Sequence, residues 1–313
     1  MMIAIAPMLD CTDKHFRMLF RFISRRALLY TEMMTANAIL HGDRKYLLHF
    51  NLKEHPVSLQ LGGCEPAKLA LAAKIGEEFG YQEINLNIGC PSDRVQAGRF
   101  GACLMKEPAL VADCVASMKA AVNVPVTVKC RLGVDKQDDY ESLYHFVETI
   151  AKAGCLRFIV HARKAWLKGL SPKQNRTIPP LRYEFVYQLK KDFPKLTIFI
   201  NGGIQSVAQA KQQLNKVDGV MIGRQAYQKP YSLIGIDAEI FGDSRIPPTQ
   251  FEVIEQYLDY IHQQITTGVP VRAMTRHLLN LLTDFSGAKA LRSQISHLKV
   301  LPTTLFRDGV AFG

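Results

Sequence analysis

The chain alternates between short apolar runs and longer amphipathic stretches. The runs fall at residues 3–9 (IAIAPML), 28–34 (LLYTEMM), 56–61 (PVSLQL), 82–88 (QEINLNI), 125–132 (PVTVKCRL), 156–162 (LRFIVHA), 196–202 (LTIFING) and 217–223 (VDGVMIG). Each is short for a helix and rich in residues that suit a pleated, buried surface. Between them, apolar positions at helical spacing predict helices over 13–23, 66–79, 108–121, 139–153, 182–191 and 207–214. Strand followed by helix, repeated through eight runs, predicts a closed (β/α)8 TIM barrel of the α/β class. An open doubly wound sheet is the competitor, but no G-x-G-x-x-G turn follows the first run. Beyond Pro247 and Pro248 the strand signals stop, and helices are expected over 251–268, 270–282 and 288–298. The expected organisation is a catalytic barrel over 1–245 followed by a small C-terminal helical domain over 246–313.

At 313 residues, 48% of them hydrophobic, the chain is long enough to bury a barrel core and one small appendage. The opening apolar run stops at Asp10 without a cleavage site, and no apolar run approaches the length of a membrane span. A soluble, cytoplasmic protein is expected. The seven cysteines form no C-x-x-C pair, which fits a reducing compartment and gives no reason to expect a metal site. Lys and Arg number 39 against 28 Asp and Glu, a net charge of +11 whose field gathers a polyanion without naming it.

Barrel chemistry sits where the strands end. That rule selects Pro7-Met8-Leu9, Gln60, Asn85, Asn87, Lys129, Arg131, His161, Asn201-Gly202-Gly203 and Gly223-Arg224. The last two groups follow the seventh and eighth runs, where barrels commonly cradle a phosphate on backbone N–H groups that glycine leaves approachable. Lys129 lies inside the apolar run PVTVKCRL, where a solvated position is hard to arrange, and His161 ends the next strand. Cationic groups there suit negative charge on a reduced flavin ring. The loop NIGCPSDRVQAGRFGACLM offers two candidate acids, Cys90 and Cys103, and Gly98 and Gly101 beside Cys103 suggest a lid able to place it over a substrate. After the sixth run, Arg163, Lys164, Lys168, Lys173 and Arg176 surround the single tryptophan, Trp166. That combination suits RNA phosphates and base stacking. In the basic C-terminal region Lys289 and Arg292 are three apart and share a helix face.

Seven motifs carry a family resemblance: APML (6–9), LQLGG (59–63), EINLNIGCPS (83–92), GACLM (101–105), VKCRLG (128–133), NGGI (201–204) and IGR (222–224). In order, and over nearly the whole chain, they resemble the dihydrouridine synthases, FMN-dependent enzymes that reduce specific uridines in transfer RNA with NADPH as electron donor. YTEM (30–33) and HARKAWLKGLSPKQNR (161–176) are similar to the A-type bacterial branch, which implies D-loop positions 20 and 20a. Cys11, where tryptophan is expected in that branch, and the tail after His297 depart from it. The resemblance implies that Pro7, Met8, Leu9, Gln60, Lys129, His161, Asn201, Gly202, Gly203, Gly223 and Arg224 hold FMN, the last five around its phosphate. It implies Cys103 as the proton donor, with Cys90 in a structural turn, and Asn87 against a flipped uridine. Lys173, Arg176, Lys289 and Arg292 are similar to tRNA-contacting positions. Two alternatives stand beside this reading: a flavin barrel that reduces a free small molecule, pyrimidine dehydrogenase-like or ene reductase-like, and a non-catalytic RNA-binding barrel. The basic loop and helices argue against the first, and Cys103, Lys129 and His161 against the second.

Overall fold

The computed structural model describes residues 1–283 and 288–296. Its strands are β1 (Met2–Ile5), β2 (Leu28–Tyr30), β3 (Met34–Thr35), β4 (Val57–Gly62), β5 (Glu83–Ile88), β6 (Val126–Arg131), β7 (Arg157–His161), β8 (Thr197–Asn201) and β9 (Gly219–Ile222). Every pairing is parallel, and contacts of β1 with β9 and of β2 with β4 close a ring of eight strands, to which β3 adds a short extension along the end of β4. The expected TIM barrel is therefore the observed one. The first strand is shorter than its apolar run because Pro7 has no N–H to continue the ladder. Ala6 still donates to the Ile222 carbonyl at 2.8 Å, and the chain then turns away into the barrel mouth.

Alternate side chains of each strand point inward. On one side the barrel interior is apolar, with Ala4, Tyr30, Ile159, Phe199 and Met221 forming their own buried cluster. On the other side β4, β5 and β6 contribute Ser58, Gln60, Glu83, Asn85 and Thr127, all buried. The outward faces pack against helices that match the expected ones within a residue or two, among them Pro66–Glu78, Pro108–Ala121 and Tyr140–Lys152. Two short helices, Ala36–His41 and Arg44–Leu48, had no counterpart in the apolar pattern.

The connector after Phe241 leads to helices Gln250–Thr266, Val271–Leu278 and Ala288–Ser296, so the expected boundary at 245 falls between elements. Residues 297 and 298 of the expected last helix lie outside the described residues. Among the described residues no helix is long and apolar enough to cross a membrane. Val253, Ile254, Tyr257, Tyr260 and Ile261, at helical spacing, join the same core cluster as Phe16, Leu19 and Phe20 of helix Lys14–Ile23. That first helix is thus wedged between barrel and C-terminal helices. Its cap, Asp13, accepts from the N–H groups of His15 and Phe16 and also meets Arg276 and, at 3.0 Å, His277 Nε2. Burial raises the Asp13 carboxyl, but the bonds from His277, Phe16 and Arg276 outweigh it and hold the group well below the usual carboxylate range.

Being enclosed on both sides, the first helix must pair its own charges. Arg17 Nε donates to Glu54 Oε2 at 2.6 Å, with both side chains almost wholly buried. Removing one partner of such a pair strands the other charge and costs about 3–5 kcal/mol. Glu54→Leu should therefore lower stability by about that amount in urea unfolding, whereas a loss under about 1 kcal/mol would show that Arg17 finds water in the variant.

Candidate active site

At the C-terminal mouth of the barrel lies a cavity of about 760 Å³. Pro7, Met8 and Leu9 line it from the loop after β1, Gln60 from β4, Lys129 from β6, His161 from β7, and Asn201, Gly202, Gly203, Gly223 and Arg224 from the ends of β8 and β9. The Met8 wall is fixed locally: its N–H donates to Thr12 Oγ1 at 3.0 Å, and Thr12 returns bonds to the Met8 carbonyl. Gly202 and Gly203 have φ of 119° and 74°, a region that disfavours side chains. A Cβ at Gly202 would also lie 2.9 Å from the His161 ring.

This end of the cavity gathers positive charge. Lys129 Nζ donates to Asn201 Oδ1 at 3.2 Å, and Arg224 Nη2 to the Arg176 carbonyl at 3.1 Å. Arg131 is spent on carbonyls of Gly89, Lys164 and Asn175 at 2.8–3.0 Å. Among the described residues none of Lys129, Arg131 and Arg224 has a carboxylate partner. Such uncompensated charge beside glycine-bordered backbone fits a bound phosphate or other anion. Burial, then Arg131 and Lys129, push His161 well below its ordinary value, so the ring is neutral at pH 7. Glu32, also in the cavity lining, carries a buried Oε1 with no partner, its pKa raised by burial and then by Asp13 and Asp10.

The two cysteines of the loop after β5 take different places. Cys90 lines the cavity beside Asn87, whose Oδ1 accepts from the N–H groups of Gly89 and Cys90 at 3.1 and 3.0 Å. Cys103 is not among the lining residues; its thiol lies 3.2 Å from the Phe100 carbonyl, and Phe100 stands in the wall instead. The Cys103 segment, expected as a lid, is held here by local bonds. Gly101 turns with φ of 76°, and Ala102 donates to the Cys90 carbonyl at 2.9 Å, tying the segment down.

Of the expected RNA-contacting residues, Arg176 and Asn87 line the cavity, while Lys173, Lys289 and Arg292 are exposed away from it. The basic loop is partly spent on itself. Lys164 Nζ sits 4.3 Å from the centre of the Trp166 ring and 2.9 Å from Asp138, so one face of the indole is already covered. Buried Asn175 organises that loop through bonds with the Trp166 N–H and carbonyl and the Leu170 carbonyl. Neither the clamp made by Arg131 nor the role of Asn175 was read from the sequence. The strand-end rule did select Arg131.

The dihydrouridine synthase (Dus) family model matches residues 4–305. The chain belongs to the dihydrouridine synthase family. It is 56% identical over 299 residues to a curated tRNA-dihydrouridine(20/20a) synthase of Synechocystis sp., covering 96% of this chain and 90% of that one. With the protein of the same name from Escherichia coli K12 it shares 54% identity over 294 residues, or 94% and 85% of the two chains. A 2-naphthoyl-CoA reductase complex matches the fold with a TM-score of 0.56 at 10% identity, over 75% of this chain and 49% of that one.

In this family member the cationic wall makes one checkable demand. Burial, then Arg131, lower the Lys129 ammonium to about 8, whereas an unfolded lysine holds its proton to about 10.4. Between those values the unfolded chain binds more protons, so stability attributable to this group rises with pH. Ligand-free wild type should therefore gain stability relative to Lys129→Met between about pH 8 and pH 10, with the variant the more stable at pH 7. Parallel stability profiles in urea would refute the lowered Lys129 value.

Proposed function

We propose that this protein is a cytoplasmic tRNA-dihydrouridine synthase that reduces the C5–C6 double bond of D-loop uridines 20 and 20a. FMN is held in the barrel mouth and NADPH is the electron donor. The observation that carries the reading is one cavity that brings together uncompensated cationic side chains, glycine-bordered backbone and a thiol beside a buried amide. The family is flavin-dependent, and this donor set suits a flavin mononucleotide: Asn201, Gly202, Gly203, Gly223 and Arg224 for the phosphate, Pro7, Met8, Leu9, Gln60, Lys129 and His161 for the ring. Bound there, reduced FMN supplies the hydride.

The rest of the chemistry falls to the chain. The uracil C5–C6 bond is conjugated to a carbonyl, so hydride at C6 leaves negative charge shared between C5 and the carbonyl oxygen. C5 then needs a proton from a group facing the same cavity. The geometry favours Cys90 over Cys103 for this step, since of the two only Cys90 lines the cavity, beside Asn87, to which this reading gives the base. Because a stacked base cannot reach the barrel mouth, the uridine must be flipped out and the surrounding tRNA held by a positive surface. Exposed Lys173, Arg176, Lys289 and Arg292 supply that surface.

The test is dihydrouridine formation in unmodified tRNA with purified protein, FMN and NADPH. Cys90→Ala should lose about a hundredfold or more in product formation while still binding tRNA and reducing its flavin. Cys103→Ala should stay within about threefold of wild type. The reverse pattern would return the acid role to Cys103, and turnover of free uridine matching that of tRNA would favour a small-molecule reductase. For the RNA surface, the Lys289→Ala, Arg292→Ala double variant should weaken tRNA binding and flatten the log–log salt dependence by up to about two units. An unchanged slope would remove that helix from the interface.

A further inference from the structure

A chain of buried hydrogen bonds runs from the barrel interior to the reacting cavity. It starts at Glu83, whose Oε1 accepts from Tyr30 Oη at 2.5 Å, Ser58 Oγ at 2.9 Å and Thr127 Oγ1 at 3.1 Å, while Oε2 meets Arg157. Burial and then Glu83 itself hold the Tyr30 phenol far above its ordinary value, so it stays a donor. The carboxylate is thus saturated with donors and only accepts.

That asymmetry propagates. Thr127 has one hydroxyl hydrogen and gives it to Glu83, so its oxygen accepts from Asn85 Nδ2 at 2.8 Å. Asn85 then presents Oδ1 to Gln60 Nε2 at 2.8 Å, and Gln60 presents Oε1 to Asn87 Nδ2 at 2.8 Å. Asn87 Oδ1 is left for the N–H groups of Gly89 and Cys90. A flipped amide at any step would set donor against donor or oxygen against oxygen among groups no more than 8% exposed. Such a mismatch strands buried polar atoms.

We infer that Glu83, Thr127 and Asn85 are positioning residues: acting through this one-way relay, they fix which face Gln60 and Asn87 turn to the cavity and where the Cys90 backbone sits. The functional consequence rests on the reading of the cavity given above; the relay itself does not.

Thr127→Val removes the hydroxyl at nearly constant shape, and Thr127→Ser restores it. In hydrogen exchange of the ligand-free protein, Gly89 and Cys90 should exchange about tenfold faster in Thr127→Val than in Thr127→Ser, with β8 amides unchanged. In single-turnover oxidation of pre-reduced holoenzyme by tRNA, Thr127→Val should be slowed about tenfold and Thr127→Ser about twofold or less, with tRNA affinity equal in both. Equal exchange at Gly89 and Cys90 in the two variants would overturn the relay. Faster exchange with an unchanged oxidation rate would overturn its functional role, even if Thr127→Val melted at a lower temperature. Absence of dihydrouridine from wild type would sink the functional reading while the exchange result still decided the relay.

Discussion

Closing eight parallel strands sends every second side chain into the barrel, and a polar group there must find its partners among its neighbours. The rest of this structure follows from how β4, β5 and β6 meet that constraint. Glu83 could not be buried without donors, and Tyr30, Ser58, Thr127 and Arg157 supply them. Once Thr127 is committed to the carboxylate, the amides above it have one self-consistent orientation, which ends at the cavity wall. Stability and site geometry are therefore settled by the same bonds. The apolar half of the interior, around Phe199 and Ile159, fills space but carries no such directional information.

The second organising feature is the separation of charge across the mouth. Among the described residues Lys129, Arg131 and Arg224 have no carboxylate partner, while Glu32, which lines the same cavity, keeps a buried oxygen unpaired. A protein that needed only stability would bring these groups together. Burial first, and then the repulsion left among them, lower Lys129 and His161 from their ordinary values. An anionic ligand relieves that repulsion, so the same charges that weaken the empty barrel strengthen the loaded one.

Much of this was legible in the sequence because barrel strands write their pattern plainly. Lys129 stood out as a cation inside an apolar run, and NGG and GR stood at the two strand ends where phosphates are held. The resemblance points to Cys103 as the acid and to Cys90 as a turn residue, but which of the two thiols lines the cavity is not written in the pattern. That depended on a left-handed turn at Gly101 and a bond from Ala102 to the Cys90 carbonyl, contacts that fold the GACLM segment behind Phe100. Nor could composition show that Lys164 covers one face of the Trp166 ring and pairs with Asp138. The short helices at 36–41 and 44–48 escaped because neither is long enough to show a period.

The helical segment after the barrel bears on the site through its attachment. Its helices share a core with Lys14–Ile23, whose cap Asp13 is clasped by Arg276 and His277 and stands one residue from Thr12, which secures the Met8 wall. His15 adds a buried bond of 2.7 Å to Tyr260. A cavity wall and a surface of exposed lysine and arginine are thus joined through a few close polar contacts and a shared core rather than through a long linker. For a substrate much larger than the cavity this arrangement matters, because the depth to which a flipped base reaches is set by where the rest of the molecule is held. On the proposed reading, a loose appendage would supply affinity without that register, and one clamped at Asp13 would supply both.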